Sequence, residues 1–359
     1  MEILLDRIYT FRDIVLLTKN YNCKETKGGI QMKQSSTRFP HNYKGKLPAF
    51  LLAFILTFSF IGLSAALAGD TAGGSAVYMT KDISPAGLMA AYKALNREAT
   101  GKVAIKVHMG EPGGENFLSP DLIKDFVLSL SGTFVDSNTA YGGRRASTAM
   151  HLQAAEDHGF TAVAPVDILD ADGTVNLPVA GGKHLKDDVV GSHYENYDFF
   201  VILSHFKGHE MGGFGGAIKN MSIGIASKEG KCLIHTAGKS SKSMWGGVQD
   251  DFLESMAEAA KAVADDMKDK ILYISVMNNI SIDCDCNPNP AKPDMHDIGI
   301  LASLDPVALD QACVDLVYAA EDGKSVIQRI ESRNGVHTLD YGEQLGLGSK
   351  KYTLVSIDD

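Results

Sequence analysis

Apolar and polar positions along this chain alternate in two periods, and the switches between them mark out its elements. Ser84-Pro85 opens a stretch of helical spacing that runs to about Glu98, with serine as cap and proline at the first position. Val103 to His108 alternates at period two and predicts a strand. A second helix opens at Ser119-Pro120 and runs to about Ser131, followed by a short strand at Thr133 to Asp136. Arg145 to His158 has a helical pattern closed by Gly159, and Phe160 to Pro165 predicts another strand. Residues 166–196 are polar and rich in Gly and Asp, which predicts short strands and turns.

Tyr197 to Leu203 is a continuous apolar run, the type of a strand covered on both faces. Beyond it the pattern predicts an alanine-rich helix from Asp250 to Met267 and strands at Ile271 to Val276 and Ile298 to Ala302. Asp305-Pro306 opens a helix to about Ala320; a short helix at Leu339 to Gln344 and a strand at Tyr352 to Ile357 follow. Such alternation predicts an α/β fold, a largely parallel sheet flanked by helices, in one body or two lobes.

The N-terminal region follows a different pattern. Leu47 to Ala68 is uncharged and strongly apolar, is preceded by Lys33, Arg38, Lys44 and Lys46, and ends in Ala66-Leu67-Ala68. A basic region, an apolar run and a small-x-small site describe a secretory signal peptide. An uncleaved membrane anchor is the alternative, because the run is long enough to span a bilayer. Met32, with Lys33 behind it, offers a natural start. The expected organisation is an extension over 1–31, a signal peptide over 32–68, and one α/β region over 69–359. The expected location is periplasmic or extracellular, with a membrane contact only if the apolar segment stays uncleaved.

Composition narrows the partners. The chain is 45% hydrophobic and 22% charged, which makes it globular. Its formal net charge is -10, and the first 68 residues carry nine Lys and Arg against four Asp and Glu, so the remainder is near -15. Nucleic acid is thereby excluded as a partner, and a small-molecule or anionic ligand is expected. Four cysteines lie beyond residue 68: Cys232, Cys284, Cys286 and Cys313. In an exported protein they are candidates for disulfides, with Cys232 paired to Cys284 or Cys286 as one option.

Three segments carry the candidate chemistry. In the first, Ser204 to Asn220, two histidines, two lysines and five glycines follow directly behind the apolar run. His205 and His209 are four residues apart, a spacing that suits metal ligation. Gly212, Gly213, Gly215 and Gly216 precede Ala217-Ile218-Lys219-Asn220 as a glycine loop enters a helix, offering backbone N–H groups to an anion or cofactor. A Walker motif is absent. In the second, Asp283-Cys284-Asp285-Cys286, two thiols suit a soft metal or an iron–sulfur cluster. The third, Asp136 to Arg145, follows a strand and precedes a helix, the crevice position of an open sheet. Asp136, Asn138 and Arg144 or Arg145 are the binding candidates there. Lys106 and His108 come from the preceding strand, and Gly110 to Glu115 forms a loop able to close over them. His151, His158, His184, His193 and His337 are each isolated and expected to be structural or surface residues.

The strings KVAIKVHMGEPG, VDSNTAYGGRR, LSHFKGHEMGGFGGAIKN, IDCDCNPNP and DIGILASLDPVALDQACVDLV resemble the family called domain of unknown function 362, often labelled iron–sulfur centre protein. Many members carry an inserted ferredoxin domain with repeated Cys-x-x-Cys after the position matching Gly230-Lys231. This chain passes from Lys231 straight into Cys232 and His235 with no such run. The resemblance implies a metal ion or iron–sulfur cluster, with His205, His209, Cys284 and Cys286 as the ligands available to it. The histidine followed by a Gly-rich, Lys-containing loop is also distantly similar to the nickel-pincer lactate racemase superfamily. That similarity implies His205 as a base, Lys219 as a cofactor contact and His108 as a second base. The alternative is a periplasmic binding protein for a small anion, without metal.

Overall fold

Residues 74–358 are described, from a computed structural model of the chain. The expected signal peptide and N-terminal extension lie outside them. In chain order the elements begin with β1 (Ser75–Thr80), α1 (Pro85–Ala94), β2 (Val103–Lys106), α2 (Pro120–Ser129), β3 (Thr133–Asp136), α3 (Thr148–Asp157) and β4 (Val166–Ile168). The hairpin β5 (Thr174–Pro178) and β6 (Asp187–Gly191) precedes β7 (Phe199–His205). A second hairpin, β8 (Lys207–His209) and β9 (Gly213–Gly215), leads into α4 (Ala217–Ile225), α5 (Lys228–His235) and the long α6 (Gln249–Met267). Then come β10 (Ile271–Met277), β11 (Gly299–Ser303), α7 (Pro306–Ala319), α8 (Lys324–Ser332), α9 (His337–Leu345) and β12 (Tyr352–Ser356).

Eight strands form one sheet in the order β12-β1-β11-β10-β7-β2-β3-β4. From β10 to β4 every pairing is parallel, while β11 runs antiparallel to both its neighbours. The fold is thus α/β with a mostly parallel sheet, as the alternation predicts. Its central strands are covered on both faces. Phe199, Val201 and Leu203 face one core with α1 and α2; Phe200 and Ile202 face the other with α4, α6 and α7. That two-sided burial is why β7 reads as an unbroken apolar run.

The helix starts follow local chemistry. The Ser84 hydroxyl accepts from Gly87 N at 3.2 Å, and Asp305 Oδ1 accepts from Val307 N at 2.9 Å and Ala308 N at 3.0 Å. In both helices proline occupies the first turn, where its missing N–H costs nothing. Two expectations need correction. The segment from Phe160 is a 3₁₀ turn over Phe160–Ala162 following Gly159 in the left-handed region, and the strand starts only at Val166. Its apolar signal comes from the Phe160 ring, packed edge-on against Phe134 at 5.2 Å. The α3 helix begins at Thr148 rather than Arg145, because Arg145 sits in the preceding turn with its guanidinium drawn onto Glu111. No helix among the described residues is long and apolar enough to cross a membrane.

Candidate functional site

The parallel strands β2, β3 and β7 end side by side at Lys106, Asp136 and His205, and a cavity of about 510 Å³ opens over those ends. This is the edge where open α/β sheets hold their ligands. Helix α4 leans across it. Asn220 on α4 donates through Nδ2 to Lys106 O, Leu203 O and Ser204 Oγ, each at 3.1 Å, so one amide ties β2, β7 and the helix together.

A buried ion cluster forms one wall. Lys106 Nζ lies 2.8 Å from Asn220 Oδ1 and 3.1 Å from Asp136 Oδ1. A side chain on Gly224 would collide with the Lys106 stem, which is why that helical position has none. Burial disfavours the charge on Asp136, but Lys106 and His151 outweigh it and hold the carboxyl well below its usual range. Burial also lowers Lys106 despite Asp136. Arg145 continues the cluster: Nε donates to Glu111 Oε2 at 2.8 Å, Nη2 to Tyr141 Oη at 3.0 Å, and Nη1 lies 3.6 Å from Asp136. The neighbouring Arg144 is exposed and away from the cavity. Of the two arginines, Arg145 therefore lines the cavity and Arg144 does not. Asn138 is buried on Thr148 and Asp170 and does not line the cavity. The loop at Gly110 to Glu115 is pinned at Glu111, whose side chain holds Arg145 and whose N–H donates to Asp285 O at 2.9 Å.

A second cluster gathers around Asp285. Its carboxylate accepts from Lys207 Nζ at 2.6 Å and faces His205 Nδ1 at 3.0 Å, while His205 Nε2 meets Asn278 O at 2.6 Å. Both ring nitrogens of His205 thus face oxygens of the protein itself. The sequence expectation of His205 as ligand and base does not fit this geometry. Burial opposes the charge on Asp285, but His205 and Lys207 overcome it and push the carboxyl far down. Lys207 is raised, because Asp285 outweighs its burial.

The sulfurs of Cys284 and Cys286, which flank Asp285, line the same cavity. Ligand atoms of His209, Cys284 and Cys286 all fall within 4.8 Å of one another. Cys284 is a free thiol, as are Cys286, Cys232 and Cys313, so no bridge joins Cys232 to the pair. The hydrogen bond from Cys286 is the largest influence on Cys284; with Lys219 and His209 it outweighs burial and drives the Cys284 thiol well below its ordinary value. Cys286 moves the other way, well above it, because it holds the proton of that bond. The His209 ring is fixed by its backbone. Its Nδ1 accepts from Gly212 N at 2.9 Å and Met211 N at 3.2 Å, so Nε2 carries the proton and faces Cys284. Metal-bound histidines show the reverse polarity, with the far nitrogen donating to an acceptor.

The glycine loop does something other than cradle an anion. The first two amides of α4, Ala217 N and Ile218 N, donate to Asp310 of α7 at 2.7 and 2.9 Å. Any side chain on Gly216 would strike that carboxylate. The helix start is therefore already filled by the protein's own carboxylate. Gly213 sits at φ 81 against Gly335, and Gly212 serves His209; neither lines the cavity, whereas Gly215 and Gly216 do.

Lys219 projects from α4 into the cavity with no carboxylate within 4.0 Å among the described residues. His108 lines it too; its Nδ1 accepts from Gly110 N at 3.1 Å, and burial followed by Arg145 holds the ring well below its usual value, hence neutral. Lys231 and His235 of α5 complete the floor. Burial lowers Lys231 to about 8 and His235 to about 3. Nothing in the sequence spacing marks Lys231, because α5 itself carries no motif. Trp245, 66% exposed and the single tryptophan of the chain, stands at the mouth with Met244 and Arg333.

Near Lys231, Asp188 of β6 is buried with neither carboxyl oxygen hydrogen-bonded, and burial raises it to about 8. Its folded-state value lies above the unfolded one, so the stability it contributes is complete below about pH 4 and lost as pH rises through about 8, at roughly 1.4 kcal/mol per unit inside that window. Asp188→Asn should remove that slope and leave the variant more stable than the parent at pH 8. Urea unfolding at pH 5 and pH 8 checks this, and parallel losses in both proteins would refute it.

Fold and site together define a mixed α/β protein with a charged cavity at the carboxyl edge of its parallel strands. Residues 103–315 match the model of the family described as Domain of unknown function (DUF362), and the chain belongs to that family. A search of the curated proteins returns no match. Among solved structures the chain is similar to the lactate racemase apoprotein from Thermoanaerobacterium thermosaccharolyticum, at 14% identity and TM-score 0.35, covering 56% of this chain and 50% of that one. It is also similar to a protein from Thermotoga maritima solved by a structural genomics consortium, at 11% identity and TM-score 0.38, covering 72% of this chain and 58% of that one. The chain thus spans between half and three fifths of the solved proteins it matches.

Proposed function

We propose that this protein is a thiol-dependent enzyme that binds a small anionic molecule in the cavity and presents the Cys284 thiolate to it. The observation that carries the proposal is the charge of the lining. Six lysines and arginines face the cavity, Lys106, Arg145, Lys207, Lys219, Lys231 and Arg333, against four carboxylates in its lining or paired directly behind it, Asp136, Glu210, Asp285 and Glu111, in a chain of net charge -10. Local inversion of sign in a concave site concentrates anions. The volume lies within the roughly 300–1,000 Å³ of small-molecule sites. Lys219 is the cation best placed to meet a carboxylate or phosphate, since Asp136 and Asp285 already hold Lys106 and Lys207.

A soft-metal centre at His209, Cys284 and Cys286 is the second reading, and the convergence of three donor atoms favours it. The tautomer of His209 opposes it. An iron–sulfur cluster wants four cysteine-type ligands, and the site offers two sulfurs and one imidazole. A racemase needs two free bases facing one ligand; His108 retains Nε2 for that, but His205 is engaged at both nitrogens. Export is part of the proposal, on the strength of the apolar run at 47–68 and its Ala-x-Ala end. N-terminal sequencing of secreted protein tests that part; a mature chain still carrying residues 47–68 would remove it.

Trp245 makes the binding step measurable. Titration with phosphate and with small carboxylates should change its emission and protect Cys284 from alkylation, and Lys219→Ala should weaken the response about tenfold, a loss of one charge-assisted contact. Emission unmoved by every anion, with Cys284 unprotected, would sink the proposal.

A further inference from the structure

A second constellation lies outside the cavity, where three distant segments meet on α6. Asp251 and Glu254 stand three residues apart on one face of that helix. His184, from the loop between β5 and β6, places Nε2 2.5 Å from Glu254 Oε2 and 4.0 Å from Asp251 Oδ1. His337, the first residue of α9, places Nε2 3.1 Å from Glu254 Oε1. None of the four lines the cavity. Ligand atoms of His184, Asp251 and Glu254 lie within 4.8 Å of one another; His337 stands outside that group and reaches Glu254 through its other oxygen.

A separate set of contacts preorganises the arrangement. Glu258, fully buried one turn along α6, accepts from the backbone N–H groups of Lys183, His184 and Leu185, and from Tyr341 Oη of α9 at 2.8 Å. One carboxylate therefore fixes both the loop that brings His184 and the helix that brings His337. Polarity also differs from that of His209. No protein N–H faces Nδ1 of His184 among the described residues, so the ring can keep its proton there and offer Nε2 to a cation.

We infer that His184, Glu254 and Asp251 form a binding site for a divalent transition-metal ion, with zinc(II) the chemically best fitted and His337 holding the second oxygen of Glu254. One imidazole and two carboxylates are a nitrogen–oxygen set that such ions take in tetrahedral geometry, with water in the fourth position. Lys183 and Lys239, which touch Glu254 and Asp251, have side chains about three-fifths exposed and on flexible stems, so a dication displaces them at little cost. The ion would clasp the β5–β6 loop to α6, outside the cavity lined by Cys284 and Cys286.

The test uses the full chain after treatment with a chelator. Zinc(II) titration by calorimetry should show a saturable site, and cobalt(II) should give four-coordinate d–d bands without sulfur-to-cobalt charge transfer. His184→Ala should weaken zinc binding by about a hundredfold, and His337→Ala, which only frees the second oxygen of Glu254, by about tenfold. Both rings are at least partly solvent-facing, and circular dichroism verifies folding. The response of Trp245 to anions should persist in both variants. Three results would overturn the inference: no zinc binding by the parent, unchanged affinity in the His184→Ala/His337→Ala double variant, or cobalt spectra dominated by sulfur ligation.

Discussion

Replacing Asp285 with alanine should cost about 3–5 kcal/mol of stability at pH 7, the usual cost of removing one partner from a buried charge cluster. Asp285 is 3% exposed and is the partner of both Lys207 and His205. Without it the Lys207 ammonium, itself buried, has no carboxylate within 4.0 Å among the described residues. The loss should be largely electrostatic, since Asp285 also tethers the Glu111 loop through its backbone O, which alanine retains. Lys207→Met in the same chain should therefore recover more than half of it, by removing the stranded charge. The pH dependence carries a sign. The folded-state value of Asp285 is depressed, so its contribution is present above the unfolded carboxylate value and lost as pH falls through the folded one. The gap between parent and Asp285→Ala should thus narrow in acid. Urea unfolding at pH 7 and pH 2.5 measures both effects; a gap that is equal at the two pH values, or below about 1 kcal/mol at pH 7, would show that Asp285 is not the keystone of this cluster.

The second large effect concerns reactivity. Cys284 should be alkylated by iodoacetamide at neutral pH while Cys232, Cys286 and Cys313, all raised above the ordinary thiol value, stay essentially unlabelled. An ordinary thiol loses about tenfold in thiolate per pH unit below about 8.5; Cys284 should lose far less between pH 8 and pH 6.5. Cys286→Ser alters the largest influence on Cys284 and should move the profile to higher pH. Mass mapping of labelled peptides across pH reads the result directly. Equal labelling of all four cysteines would mean that the site does not select Cys284.

The scaffold was legible because its signals are local. Serine and aspartate caps before proline at 84, 119 and 305, and the unbroken apolar run into β7, are properties of adjacent residues. The place of the cavity was legible too, since a strand running into glycines, histidines and lysines marks a crevice. Its internal wiring was not. The amides at the start of α4 look open to an anion until Asp310 arrives from more than ninety positions away. Asp285 reads as a companion of the thiols, yet it turns toward His205 and Lys207 and removes His205 from the ligand set. Arg144 and Arg145 are indistinguishable in sequence; only the turn before α3 decides which is buried. His184 and His337 are isolated residues 153 positions apart that meet on a single glutamate. Each miss is a long-range pairing of charges, which periodicity and spacing do not encode.

The central claim is a thiolate set in a cation-lined cavity, and competing alkylators test it most directly. Iodoacetate and iodoacetamide differ by one negative charge at nearly equal size. Relative to a free thiol in solution, Cys284 should favour iodoacetate by about tenfold or more at low ionic strength, with the preference reduced by Lys219→Ala and by added salt. A ratio equal to that of the free thiol, unmoved by Lys219→Ala and by salt, would contradict the account.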